Sequence, residues 1–320
     1  MAGKRNAAVD SLKGAAILSV VLIHVFRDGG AGVLIGEIGR WAVPAFFMVQ
    51  GYYLRGSVLK RWPVYSLKRL RRVYLPFLAW SAGYGIYFWL VDRRAFTLSD
   101  VLLGETAVHL YFVIYYVLFA LLLPFLYLLP QRLRRCCYWV MIFSNFGICS
   151  ALELQRSYGI HLFSYSGINP VKWWGFVALG MLAGEQREVL AGLIKRQRRA
   201  VILISAGLAA AGTALPFLTG TVGYMYNRSS LFPLAFGCTA GLLALFDREG
   251  VPGRDFLAFL GRRSFSIYLS HFLVVHYCKY VLGFDLLWAV AVLALAVSLL
   301  TTAVAGKVYE RLRPLPAGEG

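Results

Sequence analysis

Long apolar runs alternate along the chain with short connectors rich in Lys and Arg. A helix that crosses a bilayer needs about 20 mostly apolar residues. Runs near that length fall at 9–27, 36–54, 73–91, 108–129, 138–154, 171–185, 200–217, 230–246, 264–282 and 286–305, the fifth and sixth being short. A lipid-facing backbone must satisfy its own hydrogen bonds, so every run is predicted as a helix. The pattern predicts an all-α, polytopic integral membrane protein with about ten transmembrane helices in a single domain over residues 1–320. Two local features punctuate it. Pro44, in "RWAVPAFFMVQGYYL" (40–54), cannot donate its backbone N–H and crowds the carbonyl of Arg40, which predicts a kink in the second span. Gly29, Gly30 and Gly32 predict a flexible turn after the first.

The connectors orient the chain. With the N-terminus in the cytoplasm, the inside segments are 55–72, 130–137, 186–199, 248–263 and the C-terminal tail. Counted with the N-terminal residues and Lys13, they hold 25 of the 33 Lys and Arg residues, leaving 8 outside. That asymmetry places both termini in the cytoplasm. The first residues resemble a signal peptide, with Lys4 and Arg5 ahead of an apolar stretch, but Asp10 and Lys13 interrupt it and no small-x-small cleavage site follows. It reads as a retained first span.

Composition agrees with the pattern: 59% of the residues are hydrophobic, only 15% are charged, and the mean hydropathy is +0.64. The net charge of +18 does not indicate nucleic-acid binding, because the basic residues sit in connectors and form no basic helix face. Cys136, Cys137, Cys149, Cys238 and Cys278 make no metal-ligand spacing, so no metal site is expected. Asn227-Arg228-Ser229 matches a glycosylation triplet, a weak signal by itself.

Candidate chemistry lies in the polar residues of the spans. Asp10, Lys13, Ile17, Val21 and His24 fall on one helical stripe. His24 stands about 16 Å along the axis from Lys13, at 1.5 Å per residue, in the outer half of the first span. Histidine takes up and releases protons near neutrality, and an ionisable side chain inside a membrane is a functional candidate. The alternative is an interfacial histidine bonded to a carbonyl. Gln50-Gly51 places a polar group and a close backbone approach in the second span. Lys68, Arg69, Arg71 and Arg72, in "SLKRLRRVYLPF" (66–77), form a basic cluster before the third span. It reads as topogenic, as a site for anionic lipid, or as a seat for phosphates. Arg40 and His109 stand near the outer ends of spans, where they are candidates for binding an acceptor. Trp173 and Trp174 open the sixth span, where they suit an aromatic belt or stacking on a sugar. His271 lies mid-membrane with either a structural or a functional reading, and His161 and His276 carry no functional reading.

Five stretches, in order, carry a resemblance. "DSLKGAAILSVVLIH" (10–24), "VPAFFMVQGYYL" (43–54), the basic stretch at 66–77, "HLYFVIYYVLFALLLP" (109–124) and "SFSIYLSHFLVV" (264–275) are similar to the motifs of the acyltransferase 3 family of integral membrane O-acyltransferases. The likeness runs from about residue 5 to 305. It implies a bacterial inner-membrane enzyme that moves an acyl group, usually acetyl, from cytoplasmic acyl-CoA to a glycan or similar hydroxyl acceptor. The family's essential first-span histidine matches His24. Lys13 stands where the family usually has arginine, and Gln50 where serine is common. The expectation is that no fused extracytoplasmic domain delivers the acceptor.

The residues support that chemistry independently. A thioester is already activated, so transfer to a hydroxyl needs mainly a base and oriented partners. The expected catalytic group is His24 with Asp10 and Lys13. Lys68, Arg69, Arg71 and Arg72 hold the CoA head, and Arg40, Gln50, His109 and Trp173 contribute to substrate binding. The resemblance implies acetyl-CoA as a donor substrate, with no cofactor permanently bound. The expected partners are acyl-CoA, the hydroxyl acceptor and membrane lipids. A covalent acyl-histidine is the mechanistic variant. The competing function is an exporter of a glycan or lipid-linked sugar, which ten spans and polar intramembrane residues would also suit.

Overall fold

The computed structural model describes residues 6–26, 30–161, 169–224 and 226–312, and these are helical with no strand. Lys4, Arg5, Arg27, Gly29 and Arg313, which entered the charge and turn readings, lie outside the described residues. The α-helices are α1 (Ala7–Val25), α2 (Gly30–Gly39), α3 (Ala42–Tyr53), α4 (Trp62–Arg69), α5 (Leu75–Asp92), α6 (Leu98–Leu103), α7 (Tyr111–Leu122), α8 (Gln131–Tyr158), α9 (Val171–Glu185), α10 (Arg187–Leu218), α11 (Leu231–Phe246), α12 (Arg254–Arg262), α13 (Ser264–His276) and α14 (Leu287–Leu312). Wider π-type turns continue the path at Leu70–Tyr74, before α5, and at Tyr277–Val281, after α13.

Each predicted span falls on helix. Six stretches among the described residues are long and apolar enough to cross a membrane: Ala7–Val25, Gly32–Tyr53, Tyr111–Leu128, Gln131–Tyr158, Arg187–Leu218 and Leu287–Val304. The protein is an all-α, multi-pass membrane protein. The helix of the second span is interrupted near the kink that Pro44 predicts: two turn residues, Arg40 and Trp41, separate α2 from α3. The glycine turn is different from expectation. Gly30 and Gly32 belong to the first turn of α2, and Gly32 lets that helix close onto the carbonyl of Phe26. Helices α4, α6 and α12 occupy connectors, where no long apolar run announced them.

Helix α1 is the central element. It packs on α2, α3, α11, α12, α13 and α14. In its span 61% of residues are buried, against 17% for α10 and 22% for α14. On the peripheral helices large apolar side chains face outward, among them Leu203 at 72% exposure and Phe143 at 66%, as lipid contact requires. Without a hydrophobic drive between helices in lipid, close packing relies on small residues. Gly14 of α1 and Gly261 of α12 show this: a Cβ on either would meet the other helix's backbone, at Leu257 and Asp10 respectively. Gly51 and Gly180 bring α3 and α9 together in the same way.

Candidate active site

Helix α1 begins on a cap and ends on a cation. The Asn6 side chain accepts from the amides of Ala8 (3.0 Å) and Val9 (3.3 Å), satisfying two of the free N–H groups of the first turn. At the other end Lys279 Nζ donates to the carbonyl of Val25 (2.9 Å), next to His24, where the helix dipole favours positive charge. Between these ends Ile17 and Val21 are fully buried, so the predicted stripe faces the protein interior.

His24, in the last turn of α1, meets two other imidazoles. Its ring centroid lies 5.3 Å from that of His271 on α13 and 6.1 Å from that of His109, which precedes α7. His109 and His271 are 5.2 Å apart. Phe272 touches both His24 and His109, each at 5.0 Å. Three segments distant in sequence, α1, α13 and the turn before α7, therefore converge on one histidine cluster.

Two tyrosines brace it. Tyr84 of α5, 1% exposed, donates to the carbonyl of Leu269 (2.9 Å) and accepts from the amide of Leu273 (3.0 Å). Its hydroxyl thus bridges one turn of α13 around His271. Tyr268 donates to the carbonyl of His109, tying α13 to the start of α7. His271 Nδ1 lies 3.0 Å from the carbonyl of Ile267 and 2.7 Å from that of Tyr268.

A chamber of about 240 Å³ opens beside the cluster. His24, Phe88 and Phe272 line it, and Asp92, Arg94 and His276 are among its other wall residues. Asp92 and Arg94 are exposed, which marks that side as the mouth. His276 Nδ1 is 3.1 Å from the Tyr87 hydroxyl, and its Nε2 is 3.8 Å from Asp92. The chamber wall therefore carries the His24 imidazole among aromatic rings, with charged groups at exposed positions. That arrangement suits activation of a hydroxyl.

A family model described as an acyltransferase domain matches residues 6–307, nearly the whole length. The chain belongs to the acyltransferase 3 family. No curated protein and no solved structure shows significant similarity to it. Membership establishes a membrane acyltransferase and favours group transfer over the export reading.

Of the residues singled out in this acyltransferase, His24 and His109 come together. His271, left open between two readings, completes the cluster. Asp10 and Lys13 do not join it. They pair with each other at 2.6 Å near the opposite end of α1, where Ser11 also donates to the carbonyl of Arg254 (2.8 Å). The basic quartet divides. Lys68, Arg71 and Arg72 are exposed, whereas Arg69 turns inward between Tyr65 and Tyr116, donating to the Tyr116 hydroxyl (3.2 Å). Gln50 reaches the same residue, donating to the Tyr116 carbonyl (2.6 Å), and its buried Oε1 has no partner.

Arg40 and Trp173 belong to a third group. Arg40 Nε is 3.3 Å from Glu37, and its guanidinium stands 5.8 Å from the Tyr226 ring. Trp173 is 2% exposed, packed among Phe47, Tyr111 and Tyr226, so it is a core residue and not part of a lipid-facing belt. Glu37 also pairs with the wholly buried Arg228 and accepts from the amide of Gly223 (3.3 Å). The sequence reading passed over Glu37, Tyr84 and Tyr268, and met Arg228 only within a glycosylation triplet. A carboxylate at the head of an apolar run was the one signal available for the first of these.

Proposed function

We propose that this acyltransferase moves an acyl group, most simply acetyl, from cytoplasmic acyl-CoA to a hydroxyl of a glycan or lipid-linked acceptor at the outer side of a bacterial inner membrane. His24 is the general base. The observation that carries the reading is the position of His24, which lies at once in the histidine cluster and on the wall of a chamber that opens to the surface. In the reaction the imidazole takes the hydroxyl proton as the oxygen attacks the thioester carbonyl carbon. The C–S bond breaks, the thiolate of CoA leaves and receives the proton from the imidazolium, and the products are an ester and CoA. A positioned base contributes about 10²–10⁴-fold to such a step.

The donor reading rests on the opposite end of the bundle. Arg69 is braced by Tyr65 and Tyr116, and Lys68, Arg71 and Arg72 stand exposed around the π-type turn at Leu70–Tyr74. Local widening of a helix is frequent at functional sites, and guanidinium groups bind phosphate oxygens strongly. A CoA head held there leaves its narrow pantetheine arm to extend toward His24. Asp10 and Lys13 pair with each other at the end of α1 opposite His24, on the donor side of this reading, whereas Arg40 and Trp173 do not line the chamber.

The test is reconstitution. Purified protein in vesicles, given acetyl-CoA labelled in the acyl group and a glycan extract, is expected to release CoA and label the glycan. Mass spectrometry of surface glycans from a strain lacking the gene, beside its parent, then identifies the acceptor. Glycan movement across the vesicle membrane without consumption of acyl-CoA would instead establish an exporter.

A further inference from the structure

His271 is wholly buried, and its two nitrogens differ sharply in their surroundings. Nδ1 lies within hydrogen-bond distance of two carbonyls of its own helix, those of Ile267 (3.0 Å) and Tyr268 (2.7 Å). A carbonyl only accepts, so Nδ1 carries the hydrogen. In the neutral ring Nε2 is then a bare lone pair. That nitrogen is buried and has no hydrogen-bond partner among the described residues. An acceptor left unpaired away from water is costly, so a donor is called for.

Two imidazoles are near enough to supply one. Rings joined by an N–H···N hydrogen bond of ordinary length have centroids about 5 Å apart. His24 is at 5.3 Å and His109 at 5.2 Å. His109 does not line the chamber, and its own two ring nitrogens are buried without a hydrogen-bond partner among the described residues. His24 is the one of the two that lines the chamber. A base there must present a lone pair to the substrate and keep its N–H on the other nitrogen.

We propose that His271 is a positioning residue that accepts the N–H of His24 through Nε2, fixing the tautomer in which the other His24 nitrogen faces the acceptor hydroxyl. The carbonyls of Ile267 and Tyr268 lock His271 in the accepting form, and the Tyr84 bridge between Leu269 and Leu273 holds that turn of α13 in place. As His24 gains the hydroxyl proton, the same contact becomes charge-assisted and strengthens. The inference rests on the acyl-transfer reading with His24 as the base.

The experiment compares His271→Leu, which keeps bulk but cannot accept, with His271→Gln, whose side-chain oxygen can. Both are measured for acetyl-CoA-dependent transfer at matched folded yield, judged by gel filtration and thermal unfolding. His271→Leu is expected to lower kcat by about 10²–10⁴-fold, the range for an imidazole that loses its orienting partner. KM for acetyl-CoA should stay within a few-fold. His271→Gln is expected to recover at least tenfold of the loss. Wild-type kcat in His271→Leu, or a folded His271→Gln no better than His271→Leu, would overturn the role. A His24→Ala variant separates the two levels. If it is inactive while His271→Leu is fully active, only this inference fails; if it is itself active, the base reading fails as well.

Discussion

At the scale of the residue, buried charge is the severest constraint outside the chamber. Arg228 is wholly buried and Glu37 is 1% exposed, and the two pair directly, with Arg40 as a second cation on the same carboxylate. Removing one partner of a buried pair strands the other, at about 3–5 kcal/mol, whereas replacing both with apolar groups is often close to neutral. Arg228→Met is therefore expected to lower folded yield and Tm sharply, and Glu37→Leu combined with Arg228→Met to recover much of the loss. Thermal unfolding in detergent checks this. A double variant as unstable as the single would mean that the pair does more than balance its own charge. Legibility at this scale was uneven. His24 stood out because an imidazole in an apolar run contradicts its surroundings. Its contact with His109 and His271 is set by three-dimensional packing between distant segments, which no local pattern encodes. Arg228 entered the sequence reading only inside a glycosylation triplet, because burial of a connector residue leaves no periodic trace.

At the scale of the element, the short helices decide how the long ones stand. Helix α12 lies against the beginning of α1 through Gly14 and Gly261, where the backbones approach too closely for any side chain. That contact fixes one end of α1; Lys279 and the histidine cluster fix the other. Gly261→Val is expected to destabilise the protein by about 1–3 kcal/mol or more, the range for overpacking, because the obstruction is backbone that cannot rotate away. Gly207, on α10 with open space around its Cα, is the control, and Gly207→Val should not lower Tm, since a helix-interior glycine is itself unfavourable. Equal tolerance at the two sites would contradict the packing account. The long helices were readable from hydrophobic length alone, and Pro44 marked the break between α2 and α3. Helices α4, α6 and α12 were not, because they are short and α12 owes its place to a glycine contact with a distant segment.

At the scale of the whole molecule, the account joins a donor end to an acceptor end through a membrane bundle. We propose ten crossings with both termini in the cytoplasm, from the division of 25 Lys and Arg residues against 8. In a cysteine-free background, a membrane-impermeant maleimide is expected to label Leu98→Cys in intact cells and Lys60→Cys only after permeabilisation. Both positions are exposed, so access depends on the side of the membrane. The reverse pattern would invert the topology and put the chamber on the donor side. The central claim, that His24 is the base of an acyl transfer, is tested most directly by one rate. His24→Ala and wild type, reconstituted at equal folded amount, are compared for transfer of labelled acetyl from acetyl-CoA to the acceptor, with the exposed His161→Ala as control. The account predicts a fall of about 10²–10⁴-fold in His24→Ala and no change in His161→Ala. Transfer by His24→Ala at the wild-type rate would contradict it.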